Sequence, residues 1–266
     1  MTAGSSKNGA GTDATAEDPR DVAALALARS DVLQGIERAC GRAGRDPAGV
    51  QLIAVSKTVA PDRLRAAVRA GLEIFGENRV QEVLAKVGEV PGVAWHLIGP
   101  LQSNKARRAV EVVSMVQSVD TLDLAQRLDR LAGELRPGRP LPVLLQVNVD
   151  ADIAKAGFAP DGLEAALPEV LALANLDVRG LMTVGRLVDE AEAARPTFVG
   201  LRTLSERLRR AHPTLGPELS MGMSDDYAVA VEEGATMVRV GRALFGARAG
   251  AATDAVAGTS SAGAFG

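Results

Sequence analysis

The sequence predicts a closed (β/α)8 barrel, an α/β fold in which eight parallel strands are wrapped by helices. Two observations carry that prediction. Eight short apolar runs alternate with helical patterns along the chain, and no Ser/Gly-rich linker breaks the series. Short strands bounded by crossover helices need a parallel sheet covered on both faces. The length of 266 residues also sits close to the roughly 250 residues usual for such a barrel. A doubly wound open sheet shares the alternation, but eight regular units favour closure.

An extra helix precedes the barrel at about 20–43, where Val22, Leu25, Val32, Ile36 and Cys40 recur at helical spacing and Gly44 follows as a stop. The strand runs are 52–57 (LIAVSK), 73–78 (EIFGEN), 94–99 (AWHLIG), 115–120 (MVQSVD), 142–148 (PVLLQVN), 178–184 (VRGLMTV), 218–224 (ELSMGMS) and 237–241 (MVRVG). Helical patterns fall between them at 61–71, 122–135, 162–174 and 192–211, and YAVAVEEGA follows the seventh strand. Residues 1–18 and 250–266 are small, polar and aperiodic, and read as flexible tails around one domain, 19–249.

Composition narrows the function. A net charge of −3 with only 3% aromatic residues offers neither the cationic surplus nor the stacking platforms that nucleic acid requires. Hydrophobic residues make up 47%, enough for a sizeable core, which must be built from Ala, Val and Leu. Cys40 is the single cysteine, so no disulfide framework forms within the chain. His96 and His212 are far apart with no Cys cluster, and no metal site is expected. The N-terminus has no apolar signal region and no run approaches the roughly 18 residues of a membrane span, so a soluble, cytoplasmic protein is expected. Neither a Gly-x-Gly-x-x-Gly fingerprint nor a P-loop is present.

In a barrel, reactive side chains gather at the C-terminal ends of strands. Those ends carry Ser56-Lys57-Thr58, Glu77-Asn78-Arg79, Asn148, Met182-Thr183, Met223-Ser224-Asp225 and Gly241-Arg242, a polar set with one lysine and no histidine. The chain writes positive charge with 25 arginines and only five lysines, namely Lys7, Lys57, Lys86, Lys105 and Lys155. Lysine at the end of the first strand therefore stands out: a desolvated amine can lose its proton and attack a carbonyl, which a guanidinium cannot do. The turn SMGMSDD at 220–226, with Met223 and Ser224, and the segment VRVGRALFG at 238–246, with Gly241, follow strands seven and eight. Loops in those two places, with a short terminal helix, form the usual phosphate cup of barrels. Arg239 shares the inward parity of Gly241 and needs a partner: a cofactor ring nitrogen, or a core salt bridge with Glu77.

Taken together, AVSK (54–57), FGENRVQE (75–82), WHLIGPLQSNK (95–105), GLMTVG (180–185), SMGMSDD (220–226) and VRVGRALFG (238–246) resemble the pyridoxal phosphate homeostasis proteins, in order over about residues 20–248. The resemblance implies a barrel like the N-terminal domain of alanine racemases, with pyridoxal 5′-phosphate (PLP) held as a Schiff base on Lys57. It also implies phosphate contacts from Ser224 and the Gly241 turn, a pyridine-nitrogen contact from Arg239, and Asn78 near the cofactor ring; Met223 belongs to the same turn. Three places depart from the family pattern. Pro100 stands where some relatives carry histidine, Arg242 where a small hydroxyl residue is frequent, and 150–158 (DADIAKAGF) lacks the usual acid and serine around Lys155.

Two functions of different class follow. One is a PLP-binding protein of intracellular PLP homeostasis, not an enzyme, that holds PLP without substantial turnover and passes it to PLP-dependent apoenzymes as a monomer or weak dimer. The other is a racemase-like PLP enzyme. A racemase needs a second base on the opposite face of the cofactor. The chain runs only about 25 residues past the last strand, and its one tyrosine, Tyr227, starts a helix away from the ring face. The homeostasis reading is therefore the expectation.

Overall fold

A computed structural model describes residues 18–186 and 188–246. The stretches read as tails lie outside the described residues, Asp18 excepted.

The chain opens with α1 (Pro19–Ala43). Asp18 accepts a hydrogen bond from the Arg20 N–H, Pro19 occupies the first turn, and Gly44 closes the helix at φ 64°, a left-handed conformation glycine adopts without strain. Leu25, Val32, Ile36 and Cys40 form the buried stripe expected from their spacing, and α1 packs across the barrel's side.

Then come β1 (Gln51–Val55), α2 (Pro61–Arg69), β2 (Ile74–Glu77), α3 (Val80–Lys86), β3 (Ala94–Leu97), α4 (Ala106–Val112), β4 (Met115–Val119) and α5 (Leu122–Leu135). The second half is β5 (Leu141–Gln146), α6 (Pro160–Leu171), β6 (Leu176–Met182), α7 (Arg195–Ala211), β7 (Glu218–Ser220), α8 (Tyr227–Glu232), β8 (Met237–Val240) and α9 (Arg242–Phe245). The eight strands are parallel and pair in sequence order, and β1 pairs with β8 to close the barrel. The open-sheet alternative is thereby excluded.

Alternation along the strands divides the core in two. Ile53, Met115, Leu144, Met182 and Met237 fill the barrel itself. Their neighbours Ala54, Phe75, Leu97, Val116, Leu145, Leu181 and Val238 face out and pack under the helices. In the outer layer the rings of Phe75 and Trp95 pack together with centroids 5.5 Å apart.

The strands stop short of the runs read from the sequence. β1 ends at Val55 and not at Lys57; β7 ends at Ser220 and not at Ser224. At the mouth the backbone leaves the ladder through positive φ angles, 64° at Thr58 and 89° at Gly222. The reactive segments 56–58 and 222–226 are therefore turns. Helices α3 and α4 were not read from the pattern, because seven residues are too few for a helical repeat to declare itself.

Candidate functional site

Ile53 faces the barrel interior, so Val55 and Lys57 share its parity at the C-terminal end of β1. Lys57 is exposed, and its amine has no hydrogen-bond or salt-bridge partner among the described residues. β8 runs beside β1 with Ile53 opposite Arg239, and Gly241 then lies against the end of β1. A Cβ at residue 241 would sit 3.2 Å from the Val55 carbonyl oxygen, so the missing side chain is what lets the two strand ends meet.

Ser224 joins this junction from β7. Its Oγ accepts hydrogen bonds from the N–H groups of Gly241 at 3.2 Å and Ala243 at 3.4 Å. The turn that carries it is rigid: the buried Asp226 carboxylate accepts from the Met223 N–H at 2.6 Å, and the Met223 carbonyl accepts from Asp226 and Tyr227. A Cβ at Gly222 would meet Ala230 Cβ at 2.5 Å. The N–H groups of Ser224 and Asp225 make no hydrogen bond among the described residues. N–H and O–H donors without an acceptor among the described residues thus collect on the turn beside Gly241, a donor set suited to an oxyanion. Met223 and Ser224 are half-buried there.

Asn78 follows β2. Its backbone touches the end of β3, where a Cβ on Gly99 would lie 2.4 Å from the Asn78 carbonyl oxygen. Its side-chain amide makes no hydrogen bond among the described residues.

Arg239 is buried below Gly241 on the inward face of β8. Its Nη1 donates to Ser220 Oγ and its Nη2 to the Thr183 carbonyl, both at 2.7 Å, which ties β6, β7 and β8 together. The core salt bridge with Glu77 does not form: Glu77 shares the outward parity of Phe75 and lies outside the barrel wall. Burial pulls the Arg239 pKa down to about 10, partly opposed by the Asp226 charge, and the group stays cationic at neutral pH.

A polar ladder that the sequence reading missed continues from Arg239 through the barrel. Ser220 Oγ donates to Gln117 Oε1 at 2.7 Å, and Gln117 Nε2 donates to His96 Nδ1 at 2.9 Å. The inward parity of Gln117 with Met115 was the available signal. Burial lowers the His96 pKa to about 4, so the ring is neutral. Unfolded His96 takes up a proton near pH 6.5, whereas the folded side chain resists until about pH 4. The folded state binds fewer protons in that window, and stability drops as the pH falls through it. Melting temperature is expected to decline from pH 6.5 to 4, and less steeply in His96→Gln, whose amide oxygen can accept from Gln117. Identical slopes would assign the acid sensitivity to carboxylates elsewhere.

A second network, also missed, backs Lys57 from outside the barrel. Lys86 on α3 is buried and its Nζ donates to Glu77 Oε1 at 2.7 Å and to the Ser56 carbonyl at 2.9 Å. Ser56 Oγ donates to the same carboxylate oxygen at 2.7 Å, and the Thr58 N–H donates to Glu82 Oε2 at 3.3 Å. Burial raises the Glu77 pKa, while the bonds from Lys86 and Ser56 hold it back. Lys86 stands four residues after Glu82, a spacing that puts both on one helix face.

Other groups stand apart. Lys155 donates to the Gly185 carbonyl at 2.9 Å, Arg242 pairs with Asp225 at the surface, and Tyr227 is directed at α1, where a Cβ on Gly35 would lie 2.1 Å from its Oη. No group of His, Cys, Asp and Glu suited to a metal occurs among the described residues, and none of their helices is long and apolar enough to cross a membrane. Two surface clefts, beside Arg136 and Arg29, lie away from these residues.

Residues 36–249 match the family described as alanine racemase, N-terminal domain. The chain is similar to the pyridoxal phosphate homeostasis protein of Pseudomonas aeruginosa, 48% identical over 217 residues that cover 80% of this chain and 91% of that one. Among solved structures it is similar to PipY of Synechococcus elongatus PCC7942 with PLP bound, at 45% identity and TM-score 0.70, covering 80% of this chain and 100% of that one. Alanine racemase of Clostridium difficile 630 is 16% identical with TM-score 0.64, over 82% of this chain and 60% of that one, a likeness of fold alone.

Proposed function

Because the chain belongs to the pyridoxal phosphate homeostasis protein family, we propose that it binds PLP as a Schiff base on Lys57 and serves intracellular PLP homeostasis without substantial catalytic turnover. The observation that carries the reading is the junction of β1 and β8, where a lysine amine with no partner among the described residues ends β1, and the turn after β7 brings Ser224 and its N–H donors against Gly241 at the end of β8. PLP supplies an aldehyde that a primary amine attacks and a phosphate that seeks such donors. Lys57 provides the amine. Ser224, with the N–H groups of its turn beside Met223 and the Gly241 turn, provides the phosphate cup, and Asn78 lies near the ring from the end of β2.

Arg239 is assigned to the pyridine nitrogen. Its guanidinium cannot accept a proton, and its field disfavours a second positive charge beside it, so the ring withdraws electrons weakly. Arg239→Gln should weaken PLP binding by about 1–3 kcal/mol, the range for losing a hydrogen bond to a charged group. An unchanged titration would confine Arg239 to its structural bonds with Ser220 and Thr183.

A racemase-like reading needs a base opposite Lys57. Tyr227, the single tyrosine, packs on α1 instead. The PLP-loaded protein, incubated with L-amino acids in deuterated water, should therefore give at most slow α-proton exchange. Enzyme-scale racemisation of any of them would replace homeostasis with catalysis. PLP-dependent apoenzymes are the proposed recipients, the cytoplasm the proposed compartment, and a monomer or weak dimer the proposed state.

A further inference from the structure

We propose that Glu82, with the buried pair Glu77 and Lys86, positions Lys57 from outside the barrel by holding the backbone on both sides of it. The inference rests on the reading of Lys57 as the PLP lysine, and deepens it.

Lys57 is not held by its own tip, since its amine has no partner among the described residues. Its direction is set by the turn it stands on. That turn is strained: Thr58 is β-branched and adopts φ 64°, a left-handed conformation such residues avoid. Strain of this kind persists only where surrounding contacts over-determine it.

The contacts that do so are few and can be named. On the N-terminal side, the Ser56 N–H donates to the Gly76 carbonyl at 3.0 Å, Ser56 Oγ donates to Glu77, and the Ser56 carbonyl accepts from Lys86 and, closing the turn, from the Val59 N–H at 3.0 Å. On the C-terminal side, the Thr58 N–H donates to Glu82, whose carboxylate also lies 3.8 Å from Lys86 Nζ. Every polar contact of the Lys86 ammonium therefore leads to a residue next to Lys57, directly or through one carboxylate. Stability gives no reason for this arrangement, because a well-packed apolar pair would serve a buried site as well as two charges do. Orientation of the turn does give one. A lysine that must meet an aldehyde beside a fixed phosphate cup gains from a base that does not wander.

Glu82 is the position to test, because its side chain is 27% exposed and its loss opens no buried charge of its own. In the full chain, Glu82→Ala and Glu82→Gln would be compared with the parent by PLP titration at the imine absorbance, by melting temperature, and by amide hydrogen exchange at 56–59 without PLP. Glu82→Ala should bind PLP about five- to tenfold more weakly, in line with the loss of one ordinary hydrogen bond, here a long one. It should also exchange faster at Thr58, with little change in melting temperature. Glu82→Gln keeps an oxygen acceptor and should remain near the parent. Parent-like affinity in Glu82→Ala, or equal weakness in both variants, would overturn the proposal while leaving the site intact. A parent protein that forms no reducible adduct at Lys57 would overturn the reading of the site itself, and this inference with it.

Discussion

Lys57→Ala is expected to abolish the imine absorbance that PLP produces with the parent protein, while the far-UV circular dichroism stays unchanged. The separation of the two readouts follows from the lysine's surroundings. Its side chain is exposed and makes no hydrogen bond or ion pair among the described residues, so its removal costs the fold almost nothing. The same removal takes away the only lysine at a strand end of the mouth among the described residues. Lys155 is engaged with the Gly185 carbonyl, and Lys86 is buried in its ion pair on the far side of the barrel wall. Residual PLP binding through the Ser224 and Gly241 cup should persist, weak and without the imine band. An undiminished band in Lys57→Ala would place the aldehyde elsewhere.

Lys86→Met should instead act on stability. Among the described residues it leaves the fully buried Glu77 carboxylate with Ser56 Oγ as its one remaining donor, and Glu77 Oε2 already has no hydrogen-bond partner there. Removing one member of a buried pair typically destabilises by about 3–5 kcal/mol. For a domain of this size each kcal/mol moves the melting temperature by roughly 2–4 °C, so a fall on the order of 10 °C is expected. The double variant Glu77→Leu with Lys86→Met removes both charges and should recover much of that loss. A melting temperature in Lys86→Met equal to the parent's would mean that Glu77 takes up a proton at little cost.

The barrel was legible in the sequence because each strand is a local signal: a short apolar run stopped by turn residues, as at LIAVSK or MVRVG. The placement of Lys57, Ser224 and Gly241 followed, since strand ends and parity are enough to bring them to one mouth. What was hidden depends on closure. Gln117 and Ser220 are 103 positions apart, and only the finished barrel puts their hydrogen bond inside it. Lys86 was invisible for a different reason: α3 spans two turns, too short a pattern to show which face is buried. The expected pairing of Glu77 with Arg239 fails on parity: Glu77 alternates with Phe75 to the outer face while Arg239 faces inward, and alternation alone separates them.

The central claim is that Lys57 carries the cofactor's aldehyde. Its most direct test is borohydride reduction of the PLP-loaded protein followed by peptide mass mapping. A single pyridoxyl adduct on Lys57 is the predicted result. An adduct on Lys86, Lys105 or Lys155, or no adduct at all, would contradict it.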